Sequence, residues 1–317
     1  MILSIIIPAY NAGQYLEKCV ESCENQNISN NLYELIIVDD GSVDNTLMIA
    51  NKLAEKYENI KVFTQENQGT AAARNLGMKK ALGLYFWFVD ADDYVEKNSF
   101  LDIYRGFEQN QFPDIFVVKM KIITQNMNIV HSYNERDNVE MVGRDVVISG
   151  FKPATVCVLI CKSSYVQDYD LAFRKEIFLE DGEFSLRCMA MAKSVFFSDI
   201  VAYVYEKHQG SKTENVNLDG IYKKLWGNIP LVLSWKDFAK KIEDKKLNRV
   251  IISRCNSTLA GTLIELKNIE TPLFTKQIKD KFLDNMIKCD CYPIHGPFLS
   301  WKMLLYSRLL NIRKFII

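Results

Sequence analysis

Three observations predict an α/β fold: a mainly parallel central sheet with flanking helices, followed by a C-terminal helical region. Short apolar runs alternate with helically spaced apolar residues over residues 3–89. Polar residues cluster where each run ends. Long helical patterns take over after about residue 217.

The elements follow in order. Leu3–Ile7 is a short apolar run, which reads as a strand buried on both faces. Leu16, Cys19, Val20 and Cys23 then fall on one side of a helix. Leu35–Val38 is a second strand. Leu47, Ala50, Ala54 and Tyr57 mark a second helix, with Ser42 and Asp44 as candidate caps. Ile60–Phe63 is a third strand, Thr70–Leu82 a third helix, and Tyr85–Val89 a fourth strand. This βαβαβαβ order favours parallel strands with helices on both faces, and ligands bind such sheets beyond the carboxyl ends of the strands.

Residues from about 98 to 200 are less regular. Asp114–Lys119, Ile122–Val130 and Thr155–Cys161 read as strands. A helix is expected to start at Glu180-Asp181, because Phe184, Cys188 and Met191 share a face. Val201–Tyr205 alternates like a strand. Helical patterns then cover about 218–240, 245–268 and 272–288. The domain organisation expected is an α/β domain over 1–212 and a helical region over 213–317.

Composition narrows the function classes. The 317 residues are 48% hydrophobic and 25% charged, ordinary for a soluble domain protein. Lys plus Arg and Asp plus Glu both total 39, so no overall attraction to nucleic acid is expected. Met1–Pro8 has no basic n-region, and its apolar run is short for a signal peptide. Eight cysteines without an export signal point to a reducing cytoplasm and to free thiols. Cys19 with Cys23, and Cys289 with Cys291, lack further ligands at zinc-site spacing.

Several strand ends carry residues capable of chemistry. Asp90-Ala91-Asp92-Asp93 follows the fourth strand. Close like charges must bind a cation or shift their pKa values, and hard oxygen ligands suit Mn²⁺ or Mg²⁺. A solvated turn and helix cap is the structural alternative. Asp39-Asp40-Gly41-Ser42 follows the second strand. A carboxylate there can accept hydrogen bonds from a base or ribose, or the segment is simply a strand-to-helix turn. Arg74, in the third helix, can pair with a phosphate, with an aspartate, or with another helix residue. Glu180 and Asp181 suit the N-terminus of a helix, and either can serve as a general base. Lys207, His208 and Lys212 form a basic loop able to meet a diphosphate. Neither a G-x-G-x-x-G nor a P-loop pattern is present.

Together these segments resemble the inverting family 2 glycosyltransferases of the GT-A fold, a Rossmann-like scaffold. The resemblance rests on Ser4–Asn11, Glu34–Thr46, Asn67–Gly69 with Ala73–Gly77, Phe88–Asp93, Glu180–Phe184, Tyr203–Tyr205 and Gly210-Ser211. It implies a nucleotide-sugar donor, with UDP favoured, and a divalent ion. It places Pro8, Ala9 and Tyr10 at the base pocket and Asp40 on the base, with Asp39 supporting the turn. Arg74 would approach the phosphates or the acidic cluster. Asp90 and Ala91 would lie at the ribose or sugar, with Asp92 and Asp90 at the metal and Asp93 a neighbour. Asp181 would be the catalytic base, with Glu180 beside it. The acceptor would be a hydroxyl of a glycan or lipid-linked molecule in surface polysaccharide synthesis.

Two other readings stay open: nucleotidyl transfer on a related scaffold, and a non-catalytic glycan-binding or assembly protein. The end of the chain, Phe298–Ile317, is apolar with Lys302, Arg308, Arg313 and Lys314 and no acid. It suits an anionic membrane surface at the inner face of the cell membrane. It equally suits packing on the helical region or on a second subunit, as in a homo-oligomer.

Overall fold

The computed structural model describes residues 1–124, 136–152, 155–207, 218–269 and 274–316. The chain divides into two compact units, Met1–Lys175 with Phe184–Ser211, and Glu176–Glu183 with Lys212–Ile317.

The first unit is built on one sheet. Its strands are β1 (Leu3–Ala9), β2 (Tyr33–Asp39), β3 (Ile60–Thr64), β4 (Tyr85–Phe88), β5 (Tyr94–Val95), β6 (Ile115–Ile123), β7 (Val139–Met141), β8 (Leu159–Lys162) and β9 (Val195–Glu206). The order is β3-β2-β1-β4-β8-β6-β9-β5, with β7 also on β9. The strands from β3 to β4 are all parallel. β8 then inserts antiparallel between β4 and β6, so the far half of the sheet is mixed. The parallel β6–β9 pair carries the helix expected at Glu180 in its connection, whereas the antiparallel pairs with β8 require no such crossover.

Helices α1 (Leu16–Glu24), α2 (Thr46–Lys56) and α3 (Thr70–Lys80) connect the parallel strands, as their apolar spacing requires. α3 lies so close to β1 that a Cβ on Gly77 would sit 2.2 Å from Ile6 Cγ2. Only glycine permits that approach. Ile5, Ile6 and Ile7 and every residue of β2 are buried, which explains their unbroken apolar character. Asp39 ends the strand at the sheet's carboxyl edge, and within it Glu34 is the exception. Its carboxylate accepts from Ser4 Oγ at 2.7 Å, Lys61 Nζ at 2.8 Å and Leu82 N at 2.7 Å. Trp87, fully buried in β4, donates to Cys157 O at 2.6 Å.

Sequence pattern left several elements unseen in the middle of the chain. They are α4 (Ser99–Gln109), α5 (Gly143–Ile148), α6 (Ser163–Asp168) and the short strands β5 and β7. The two strands expected over 114–130 are one strand, β6, up to Ile123, and residues 125–130 lie outside the described part. The strand expected from Thr155 begins as a 3₁₀ turn, Val156–Val158, before β8. The helix expected at Glu180 is α7 (Glu180–Met191), whose first turn belongs to the second unit.

The rest of the second unit is helical: α8 (Leu218–Lys240), α9 (Lys245–Asn268), α10 (Lys276–Lys288), α11 (Trp301–Leu310) and α12 (Arg313–Ile316). Asp244, Thr275 and Ser300 cap α9, α10 and α11 through their side-chain oxygens. α8 packs on α9 along a mostly apolar seam that includes a buried Asn228–Thr262 hydrogen bond of 2.9 Å. α11 and α12 also lie against α9. Among the described residues, no helix is long and apolar enough to cross a membrane.

Candidate active site

β1 lies between β2 and β4, while the chain runs outward through β2 and β3 before returning to β4. A parallel sheet whose order reverses in this way opens a crevice at its carboxyl ends. The register fixes what faces it. Ala9 pairs with Asp39, Asp39 with Thr64, and Ile6 with Phe88. Continuing the last pairing puts Asp90 level with Pro8, so residues 8–10, 39–40 and 90–92 share one rim.

Side chains tie the loops of this rim together. Asn11 N donates to Ser42 Oγ at 3.0 Å, and Val43 N donates back to Asn11 Oδ1 at 2.9 Å. Ala12 N donates to Thr46 Oγ1 at 2.8 Å and Gly13 N to Asp44 Oδ2 at 3.1 Å. Asp40 binds the loop before α3. Its carboxylate accepts from Gln65 Nε2 at 2.7 Å, Gln68 N at 3.0 Å and Gly69 N at 2.8 Å. Gly41 turns there with φ of +71°, and any Cβ would lie 2.8 Å from Asn67 N. Asp39 differs. Its Oδ2 accepts from Ser42 N at 3.3 Å, but Oδ1 is buried with no hydrogen-bond partner. An orphaned carboxylate oxygen out of water is costly, and it stands ready for a donor. Tyr10, half-exposed, sits on the same rim.

The acidic cluster is differentiated. Asp90 Oδ1 accepts from Arg74 Nη2 at 2.9 Å. Arg74 is buried, with its guanidinium 5.8 Å from the Phe88 ring centroid and 5.4 Å from that of Phe173. Phe173 is fixed in turn by a reciprocal pair: Asn75 Nδ2 donates to its carbonyl at 2.8 Å and its N–H donates to Asn75 Oδ1 at 2.9 Å. Asp93 is buried and accepts from Tyr203 Oη and, at 3.1 Å, from Glu206 N. Burial, with the charges of Asp90 and Asp92, pushes its carboxyl up to about 8 against those two donors. Asp92 is half-buried between them, and Ala91 is buried. Among the described residues, no group of three or more His, Cys, Asp or Glu side chains is arranged to hold a metal ion. A hard carboxylate such as that of Asp92, at the carboxyl end of a parallel sheet, fits the donor chemistry of an ion whose other ligands are phosphate oxygens and water, the usual arrangement for Mg²⁺.

Residues 4–178, more than half the chain, match the description "Glycosyl transferase family 2". The chain belongs to this family. It is 31% identical over 221 residues to an uncharacterized glycosyltransferase of Bacillus subtilis, EpsJ, covering 67% of this chain and 63% of that protein. It is 32% identical over 209 residues to a poly(ribitol-phosphate) beta-glucosyltransferase of Bacillus spizizenii, covering 65% of this chain and 32% of that one. The chain thus spans less than two thirds of the length of these relatives. In fold it is similar to Staphylococcus aureus TarS, crystallised as residues 1–349 with UDP-GlcNAc, with a TM-score of 0.72 and 21% identity. That match covers 100% of this chain and 90% of the other.

The sequence-derived candidates of this family 2 chain fall into two sets. Pro8, Ala9, Tyr10, Asp39, Asp40, Arg74, Asp90, Ala91 and Asp92 lie together in the first unit. Glu180 and Asp181 are half-buried in the first turn of α7, in the second unit. There the neighbouring Glu183 accepts from Ser234 Oγ at 2.5 Å, anchoring that turn to α8. His208 and Lys212 of the basic loop lie outside the described residues.

The contributions of Tyr203, Phe173 and Asn75 were not foreseen. Tyr203 holds Asp93, and its Oη lies 3.4 Å from Asp90 N as acceptor. Each acts across about a hundred residues of chain, and no local pattern signals such contacts.

Proposed function

We propose that this family 2 chain is an inverting glycosyltransferase that moves a sugar from a UDP-sugar to a hydroxyl of a glycan or lipid-linked acceptor in surface polysaccharide synthesis. The observation that carries the reading is the buried, partnerless Asp39 Oδ1 on the same rim as Tyr10, Arg74–Asp90 and Asp92. Uracil presents a ring N–H that such an oxygen can accept. Asp40, which the resemblance placed on the base, already holds three donors of its own chain, so we assign the base contact to Asp39. Tyr10 offers its ring face to the base, with Pro8 and Ala9 lining the pocket. The UDP-GlcNAc complex of TarS and the polymer-modifying relative support the donor and acceptor classes.

In the proposed reaction the acceptor oxygen bonds to the anomeric carbon while the bond to the diphosphate oxygen breaks on the opposite side. The acceptor proton passes to the Asp181 carboxylate, and UDP leaves with the bonding electrons. Asp92 would hold Mn²⁺ or Mg²⁺, which when bound neutralises charge developing on the diphosphate. Asp90 is held by Arg74. That ion pair competes with direct ligation and sets the edge of the sugar pocket.

The test is UDP release from a panel of UDP-sugars with Mn²⁺ and a polyol-phosphate or glycan acceptor. Asp92→Ala and Asp181→Asn should each lower turnover at least about a hundredfold. Full activity in both variants, or pyrophosphate instead of UDP as product, would refute the assignment.

A further inference from the structure

We infer that α11 is a membrane-seating helix, built to lie against the surface of an anionic bilayer with its outward face. Side chains on a helix turn about 100° per residue. On that spacing Trp301, Leu304, Leu305 and Leu309 form one stripe along α11, and Ile312 follows just past its end. The five are between 43% and 68% exposed. The opposite side carries Ser307 and Leu310, which are buried against the unit. The helix therefore seats itself through a narrow buried edge and turns its larger apolar face to the outside. A helix stabilised only by its own unit has the reverse arrangement.

Charge identifies the occupant. Lys302 flanks the stripe, Arg308 lies within it and Lys314 follows in α12; all three are exposed, and no acid occurs from 298 to 317. The acids beside it, Asp280 and Asp284, are engaged by Arg313 at 2.6 and 2.9 Å. The free charge of the patch is thus of one sign. A two-fold contact between copies of this chain would bring these cations face to face without acids to pair them. A bilayer of anionic lipid offers an apolar interior for the stripe and negative headgroups for its cations, and Trp301 suits the boundary between them. Arg308, within the stripe, can extend its stem over apolar surface and keep its head among the phosphates.

The test is co-sedimentation of the full chain with vesicles of phosphatidylcholine alone, and with about one third phosphatidylglycerol. Binding should require the anionic lipid and weaken as salt is raised. Lys302→Gln, Arg308→Gln and Lys314→Gln combined should lower partitioning on the order of a hundredfold. Leu305→Glu with Leu309→Glu should lower it at least about tenfold. Both sites are exposed, so thermal melting of these variants should match the parent. Sedimentation velocity covers the competing occupant. The inference fails if the parent ignores anionic vesicles, if the leucine variant binds them undiminished, or if the parent is an oligomer that this variant dissociates. None of these readouts depends on the donor or the reaction.

Discussion

Asp39 and Asp40 are adjacent, acidic and buried, yet their amide variants should fail in different ways. In Asp40→Asn one carboxylate oxygen becomes an NH₂ group. If the remaining oxygen keeps Gln65 and Gln68, the new amide faces the N–H of Gly69, donor against donor. One part-buried N–H then loses its partner and two charge-assisted bonds are weakened, a cost of about 2–3 kcal/mol. At 2–4 °C per kcal/mol for a chain of this size, the melting temperature should fall by roughly 4–12 °C. In Asp39→Asn the oxygen can stay on Ser42 N, and the amide takes the place of the partnerless Oδ1. Stability should hold or rise by up to about 1 kcal/mol, since a buried charge is removed. UDP affinity should suffer instead. An acceptor facing the uracil N–H becomes a donor, and loss of a hydrogen bond to a charged group is worth about 1.5–3 kcal/mol, or about ten- to a hundredfold in Kd. Thermal melting and titration calorimetry with UDP separate the two effects. UDP binding by Asp39→Asn at parental affinity would refute the base contact. Parental melting of Asp40→Asn would refute its role in holding the α3 loop.

Three further outcomes follow from the packing. Arg74→Ala should destabilise the chain by about 3 kcal/mol in thermal melts, near the lower end for a broken buried pair because Asp90 is partly solvated. Arg74→Lys should recover part of that loss but not the contact with the Phe88 and Phe173 rings. Gly77→Ala should cost about 1–3 kcal/mol by denaturant titration, because Ile6 has no space to yield. Burial raises the Glu34 carboxyl, but Lys61, Ser4 and the Leu82 N–H outweigh it and hold the group below its usual range. A lowered folded value means stability that is present at neutral pH and lost as pH falls below about 4.3, the ordinary glutamate value. Glu34→Gln should therefore flatten the acid limb of a stability-against-pH curve and leave the rest of its shape unchanged.

Some of this was legible without coordinates. β1 to β4 and the helices between them are written in local pattern: unbroken apolar runs for strands buried on both faces, and spacing near 3.6 for their helices. The long patterns over 218–240 and 245–268 appear as α8 and α9 at the same bounds. α4 was missed although Phe100, Ile103 and Phe107 are its buried face, because two turns of apolar spacing among polar residues weigh little on their own. β8 was visible as an apolar run, but its antiparallel insertion between β4 and β6 is a pairing decision between distant segments.

At the candidate site, residue types and order along the chain determined which side chains gather on the rim, since each follows a strand of a parallel sheet. How the two adjacent aspartates divide their labour was decided only in three dimensions. Hydrogen-bond capacity is a sum over partners, and the partners of Asp40 are 25 to 29 residues away. The same holds at the chain's end. Its sequence announced an apolar, basic helix suited to a membrane, to its own unit or to a second copy. Only packing decided that Ser307 and Leu310 face inward and Trp301, Leu305 and Leu309 outward, because amphipathicity gives a helix two sides and tertiary contacts choose which one is covered.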